Sequence, residues 1–205
     1  VQSAVFHPDK KILASGGQDH AVRFWNTDTG ECINTFQGNS NWVKSISFSP
    51  DGRFIASGDE NHVIKIWNAI TGFCIKELEG HTNWIHSLSF RPDGKILVSS
   101  GDDSTIRIWN LETGNCIYTL TGHNRWVRCV TFSPDNLTLA SGSDDTTIRL
   151  WDTQTSQCFK ILQGHTKRVR SIAFSTDGKH IISCCHDDTI KFWDAGTGEC
   201  IKTFK

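Results

Sequence analysis

Residues 122–152 read GHNRWVRCVTFSPDNLTLASGSDDTTIRLWD, and this pattern returns along the chain with a period of 42 residues. One tryptophan marks the end of each copy, and a serine stands ten positions before it: Trp25, Trp67, Trp109, Trp151 and Trp193, preceded by Ser15, Ser57, Ser99, Ser141 and Ser183. Such regular spacing makes the repeat the unit of folding. Stacked repeats form extended binding surfaces more often than deep catalytic pockets.

The first part of each copy reads as a β-strand. Four segments share the motif, namely residues 42–48, 84–90, 126–132 and 168–174, and the chain itself opens on a shorter version at residues 1–6. The period of two in a pleated strand predicts that alternate side chains face opposite sides: Lys44, Ile46 and Phe48 on one side, and Val43, Ser45 and Ser47 on the other. Large residues opposite small ones suit a sheet that packs against neighbours on both faces.

Each predicted strand is followed by a turn and three further strands. The turns contain residues that tolerate a positive φ, as in Pro50-Asp51-Gly52 and Pro134-Asp135-Asn136. After the turn, runs rich in β-branched and aromatic residues predict three more strands. Examples are residues 54–57 for the second strand, 147–151 for the third and 74–78 for the fourth. No segment keeps apolar residues at helical spacing over three turns. The sequence therefore predicts an all-β fold.

At this point the residues resemble a known family over the whole chain, the WD-repeat β-propellers. The resemblance rests on Gly-His pairs at residues 80–81, 122–123 and 164–165, and on Trp-Asp pairs at residues 151–152 and 193–194, with Trp-Asn in the other copies. It implies four-stranded antiparallel blades in a single region, residues 1–205. The expected blades span about residues 1–36, 37–78, 79–120, 121–162 and 163–205.

We expect these five blades to be an arc of a larger, seven-bladed ring. The sequence contains no methionine, begins within a first strand and ends within a fourth one. Propellers of this family usually close by exchanging a strand between the termini, and no such device is visible. Unfinished blade faces at the two ends would then be exposed, and the chain would self-associate through them.

The resemblance also implies a buried hydrogen-bonded tetrad of histidine, serine, aspartate and tryptophan in each complete blade. These tetrads are His81, Ser99, Asp103 and Trp109; His123, Ser141, Asp145 and Trp151; and His165, Ser183, Asp187 and Trp193. The residue types match a hydrolase triad. An enzyme has little use for one triad per blade, so we interpret the tetrads as structural and predict no catalytic residue.

The second blade departs from this pattern. Asn39 stands in place of the histidine and Asn61 in place of the aspartate. Two amides can still pair there, but no carboxylate is present to orient an imidazole. Because the first blade also lacks its histidine, we expect blades one and two to be the softer end of the arc.

Partner binding is expected at the positions that resemble the family's top rim. They are Trp42, Lys44, Trp84, His86, Trp126, Arg128, Arg168 and Arg170, together with the turn residues Glu60, Asp102, Asp144 and His186. Exposed indoles beside cations are typical of interface hot spots. The alternative is that the indoles only pack on neighbouring blades and on the adjacent cations. The interleaved charges favour a mixed-charge peptide or protein loop over a purely anionic ligand.

The eight cysteines predict neither disulfides nor a metal site. Five of them share one column in the fourth strand, which favours small buried apolar residues: Cys32, Cys74, Cys116, Cys158 and Cys200. Cys184, Cys185 and His186 are consecutive, but neighbouring residues of a strand face opposite sides, which argues against shared zinc ligation. Unbridged cysteines fit a reducing, cytoplasmic compartment.

Three classes of function remain open. The favoured one is a non-catalytic scaffold within a larger multidomain protein that binds a partner protein or peptide. The alternatives are a reader of a phosphorylated or methylated peptide and, least favoured, an enzyme. A net charge of -1 gives no reason to expect nucleic acid or membrane as partner, and no cofactor is expected. A phosphate-binding glycine loop and a nucleophile elbow are both missing from the sequence.

Overall fold

The computed structural model describes residues 1–205 as five four-stranded antiparallel sheets, which we call blades one to five. The strands are β1 (Ser3–Phe6), β2 (Ile12–Gly16), β3 (Val22–Asn26), β4 (Cys32–Phe36), β5 (Val43–Phe48), β6 (Phe54–Asp59), β7 (Ile64–Asn68), β8 (Cys74–Leu78), β9 (Ile85–Phe90) and β10 (Ile96–Gly101). They continue with β11 (Ile106–Asn110), β12 (Cys116–Leu120), β13 (Val127–Phe132), β14 (Thr138–Ser143), β15 (Ile148–Asp152), β16 (Cys158–Leu162), β17 (Val169–Phe174), β18 (His180–Cys185), β19 (Ile190–Asp194) and β20 (Cys200–Phe204). The predicted all-β fold of four-stranded blades is confirmed.

Each blade is a meander in which consecutive strands pair, and the first strands of successive blades lie beside one another. The first turn of each blade has the backbone that its residues predict. Gly52 has a φ of 70° and Asn136 a φ of 66°, values that glycine and asparagine adopt at low cost.

The structure contains no helix with the length and apolar character that a membrane span needs.

A β-bulge near the start of the first strand overturns the predicted alternation in residues 43–48. Val43 pairs with Asp59 and Ser45 pairs with Gly58, so Lys44 is an extra residue without a partner in the ladder. After the bulge the phase of the strand changes, and Val43 lies on the same face as Ile46. Both side chains approach Gly16 of blade one, where a Cβ atom would lie 2.5 Å from Val43 and 3.1 Å from Ile46.

The core lies between the blades. Four clusters of nine or ten buried residues join blade one to two, two to three, three to four and four to five. In the first cluster Phe24 and Phe36 of blade one meet Phe48 and Trp67 of blade two. The outer face of blade five is open: Ile190 is 43% exposed, whereas the equivalent Ile148 is 0% exposed.

The prediction that the cysteine column is buried is wrong. Cys32, Cys74 and Cys200 are exposed, and Cys116 and Cys158 are half-buried. These residues begin the fourth strand, which forms the outer edge of each blade, so only one side of the strand is covered. Cys129, in the first strand of blade four, is buried, and burial raises the pKa of its thiol to about 12.

Candidate functional site

Every blade has two edges at which its strands end and its loops lie. In blade two, the loops of residues 37–42 and 60–63 lie at one edge of the sheet, which we call the top edge. The loops of residues 49–53 and 69–73 lie at the other edge, because consecutive strands of a meander run in opposite directions. Residues 49–53 and 69–73 form the bottom edge. All rim residues expected from the sequence lie at or next to the top edge.

Below the top edge, the structure brings the tetrad residues into one chain of hydrogen bonds. In blade four, the indole N–H of Trp151 donates to Ser141 Oγ at 2.8 Å, and this oxygen lies 2.8 Å from His123 Nε2. His123 Nδ1 in turn lies 2.7 Å from the Asp145 carboxylate. The same chain of contacts occurs in blades three and five, with His81, Ser99, Asp103 and Trp109, and with His165, Ser183, Asp187 and Trp193.

The aspartate of each tetrad ties two top-edge loops together. Asp103 accepts backbone N–H bonds from Thr82, at 3.1 Å, and from Thr105, also at 3.1 Å. Burial alone would raise the pKa of this carboxyl, but the hydrogen bond and charge of His81 and the hydroxyl of Thr105 outweigh burial and hold the pKa far below its usual range. The side chain of His81 is completely buried, so its imidazole is shielded from any substrate.

In blade two a different carboxylate takes over, which corrects the expectation that none is present. Asp59 is fully buried and accepts backbone N–H bonds from Ser40 at 3.2 Å and from Asn61 at 2.9 Å. These contacts join the same two loops as the Asp103 contacts, although Asp59 stands two positions earlier in its repeat. The two amides do not pair, because Asn39 accepts from Ser57 at 2.8 Å and Asn61 accepts from Asn41. The repeat pattern gave no signal for Asp59, because this residue stands two positions before the tetrad aspartate position.

At the top edge, the β-bulge residue of each of blades two to five is basic. The bulge leaves Lys44, His86, Arg128 and Arg170 outside the ladder and turns them toward the rim. The first three meet a carboxylate of their own blade. Lys44 Nζ lies 2.9 Å from Glu60, His86 Nε2 lies 2.5 Å from Asp102, and Arg128 holds Asp144 by two hydrogen bonds of 2.9 Å.

Three indoles stand beside these cations and are partly open to solvent. Trp42, Trp84 and Trp126 are 36%, 39% and 43% exposed. Lys44 Nζ lies 5.3 Å from the ring centroids of both Trp42 and Trp84, and the guanidinium of Arg128 lies 4.5 Å from that of Trp126. The indoles therefore pack on cations, as the alternative interpretation has it, and also keep an open face that a partner could contact.

Blade five carries the remaining rim residues, and they are not paired in the same way. Arg168, Arg170 and His186 are exposed, and Arg168 Nε donates to His186 Nδ1 at 3.0 Å. Arg168 and His186 line a shallow depression of about 380 Å³ together with Arg125 and Lys167, two residues that the expected rim does not include. Their position in the sequence could have identified them, since Arg125 directly precedes Trp126 and Lys167 directly precedes Arg168.

One group of possible metal ligands lies in the blade-five tetrad. Donor atoms of His165, Cys185 and Asp187 lie within 4.8 Å of one another. Each already has a partner, because His165 contacts Asp187 and Ser183, and the thiol of Cys185 donates to the Lys167 carbonyl at 3.1 Å. Cys184 and His186 are not part of this group.

Comparison with known proteins identifies the repeat. The profile of the WD domain, G-beta repeat family matches residues 1–26, 30–68, 72–110, 114–152 and 156–194, which together cover most of the chain. The chain belongs to the WD40 family. From the second copy onward, each WD40 repeat combines the last strand of one blade with the first three strands of the next. The repeat unit in the sequence is therefore offset by one strand from the blade.

Similar proteins match over about one WD40 repeat. They include nuclear distribution protein nudF 1 of Talaromyces marneffei, 37% identical over 46 residues, which are 22% of this chain and 10% of that protein. Polyadenylation factor subunit 2 of Neurospora crassa is 36% identical over 42 residues, or 20% of this chain and 6% of that protein. Lissencephaly-1 homolog of Heterostelium pallidum is 44% identical over 34 residues, or 17% of this chain and 8% of that protein. The match thus spans a tenth or less of the length of these relatives.

Proposed function

We propose that this chain is a non-catalytic scaffold that binds a partner protein or peptide on its top rim. The observation that carries the proposal is the row formed by Trp42, Trp84 and Trp126, each more than a third exposed at the same edge of successive blades. An indole offers a large rigid contact area at little cost in conformational entropy, which is why tryptophan is enriched at binding hot spots.

The chemistry of the tetrads supports a structural role. A nucleophilic hydroxyl must be reachable by its substrate, and Ser99, Ser141 and Ser183 are each 0% exposed. Each of these oxygens also accepts an indole N–H bond of 2.8 Å from the tryptophan of its own blade. The same arrangement repeated in three blades fixes loops, and nothing about it selects one blade as a reaction centre.

The relatives support an interaction role by analogy. Polyadenylation factor subunit 2 is, by its name, a subunit of a larger assembly. A rim that combines indoles, cations and carboxylates suits a protein segment better than a small molecule, since the depressions of the top edge are shallow and open. For the whole protein we propose a cytoplasmic, multidomain partner-binding role.

Selection from a random peptide library tests this function. Peptides that bind the chain are isolated, and their affinities are measured for the wild type, for the double variant Trp84→Ala and Trp126→Ala, and for Phe73→Ala. Phe73 is 73% exposed at the bottom edge, so it is a matched aromatic control. We expect the double variant to lose about thirtyfold in affinity, as hot-spot residues do, and the control to keep it. Full affinity in the double variant would disprove the proposal.

A further inference from the structure

Each blade has three equivalent rim positions: the tryptophan position, the β-bulge position and the acidic turn position. Blade five departs from blades two to four at the first and the third of them. Where blades two, three and four have Trp42, Trp84 and Trp126, blade five has Arg168. Where they have Glu60, Asp102 and Asp144, blade five has His186. Both changes remove an uncharged or acidic group and add a basic one, while the bulge residue Arg170 remains basic.

These replacements leave the blade-five cations without a counter-ion. The basic bulge residues of the three preceding blades are paired with carboxylates, but Arg168 and Arg170 form no salt bridge. The nearest acidic rim residue, Asp144, is already held by two hydrogen bonds from Arg128. Ion pairing therefore neutralises most of the rim, and an unbalanced positive charge remains at one corner.

The ionisation of the neighbouring groups agrees with that picture. Partial burial and the positive charges of Arg128 and Arg168 lower the pKa of the Arg170 guanidinium. Desolvation and the charges of Arg168 and Arg170 hold the pKa of His186 below its ordinary value, although Asp144 and Asp188 act in the opposite direction. The Nδ1 atom of His186 accepts from Arg168, so the neutral ring presents its Nε2–H as a further donor.

The depression at this corner is lined almost entirely by donors. Arg125, Lys167, Arg168 and His186 surround it together with the hydroxyl residues Thr146 and Thr166. The one carboxylate at its edge is the Arg128 partner Asp144, and no apolar side chain lines it. A second depression, of about 340 Å³, shares Arg125 and Asp144 with the first and contains Trp126. The positive corner is thus continuous with the indole row.

We propose that the blade-five corner, formed by Lys167, Arg168 and His186 around the depression of about 380 Å³, binds the phosphate group of a phosphorylated side chain in a partner protein. This inference rests on the proposed partner-binding function and names the chemistry of one part of that site. A phosphate monoester carries almost two negative charges and three strong acceptor oxygens, and arginine forks match that geometry. A single carboxylate offers less charge and fewer acceptors to the same set of donors. A residue flanking the phosphate would contact the open face of Trp126.

An array of short peptides tests the proposal. Each sequence is synthesised three times, with serine, phosphoserine or glutamate at the central position, and binding is compared within each set of three. The best phosphoserine peptide is then measured in solution against the wild type, the double variant Lys167→Gln and Arg168→Gln, and Arg53→Gln. Arg53 is an exposed arginine of the bottom edge, so its variant makes the same change in side chain away from the site.

We expect phosphoserine to bind about tenfold or more tightly than serine, because charge-assisted hydrogen bonds contribute that much. The double variant should lose the difference and Arg53→Gln should keep it. Equal binding of serine and phosphoserine, or an unaffected double variant, would overturn the proposal. Glutamate binding as tightly as phosphoserine would overturn the assignment to phosphate. Because the indole test uses unmodified peptides, the scaffold function stands or falls separately.

Discussion

At the scale of single residues, the tetrad aspartates make the protein sensitive to acid. The pKa values of Asp103 and Asp145 lie far below their usual range because the hydrogen bonds of His81 and His123, with those of the neighbouring threonines, outweigh burial, which acts to raise them. In the unfolded chain these carboxyls take up protons near about pH 4, while in the folded protein they stay ionised to lower pH. Below that pH the unfolded state therefore binds more protons.

We expect the free energy of unfolding to be constant with respect to these groups above about pH 5 and to fall as the pH drops through about 4 toward 2. Urea denaturation across this range measures the fall. Asp145→Asn should be less stable at neutral pH and should lose less stability on acidification. The control Asp28→Asn, at an exposed loop aspartate, should follow the wild type. An identical acid dependence in Asp145→Asn and the wild type would contradict the assignment.

At the scale of the blade, Asp59 shows that the connection between two loops is retained although its residue has moved. Its carboxylate makes backbone contacts in blade two that the tetrad aspartate makes in blades three to five. Blade two was expected to be softer because a carboxylate was missing, and Asp59 supplies that carboxylate. In blade one Ser15 contacts Trp25 and no histidine, and the greater mobility of this blade remains a prediction.

Asp59→Ala should destabilise the protein by about 1 to 3 kcal/mol, because the backbone N–H groups of both loops lose a charged acceptor. Hydrogen exchange resolved by blade checks the location: amides of residues 37–42 and 59–63 should exchange faster, while those of blade four keep their protection. Asn61→Ala is the matched control, since its side chain contacts only Asn41 at the exposed surface, and it should change stability by less than about 0.5 kcal/mol. Unchanged exchange in Asp59→Ala would show that the carboxylate does not hold these loops.

The blade is also the scale at which sequence and structure differ most. The periodicity predicted the strands, the turns and the columns, because a 42-residue repeat fixes what is common to all copies. It could not predict the bulge at Lys44, which depends on how two strands pair and which places Val43 on the face of Ile46. The exposure of Cys32 and Cys74 likewise depends on the position of the fourth strand at the outer edge. The role of Asp59, which departs from the repeat, could be recognised only from its hydrogen bonds to Ser40 and Asn61.

At the scale of the whole molecule, the two end faces are complementary. Every interface between successive blades joins two different faces. In the interface of blades four and five, the first kind of face is formed by Ile148 and Leu162 of blade four, and the second kind by Ile181 and Trp193 of blade five. Blade five repeats the first kind with Ile190 and Phe204, which are 43% and 45% exposed. Blade one repeats the second kind with Leu13 and Trp25, which are only half-buried. A second copy can therefore associate head to tail, with its blade-one face against the blade-five face of the first.

We expect the apparent mass to rise above 23.0 kDa with concentration, because open apolar faces of this kind associate. Sedimentation analysis of two variants tests the geometry. Ile190→Glu removes the blade-five face and Leu13→Glu the blade-one face, so each variant alone should stay monomeric. An equal mixture should form a dimer that does not grow, since each variant supplies the face that the other lacks. Phe73→Glu, at the bottom edge, should associate like the wild type. A constant mass of the wild type, or a mixture that stays monomeric while the wild type associates, would exclude head-to-tail docking.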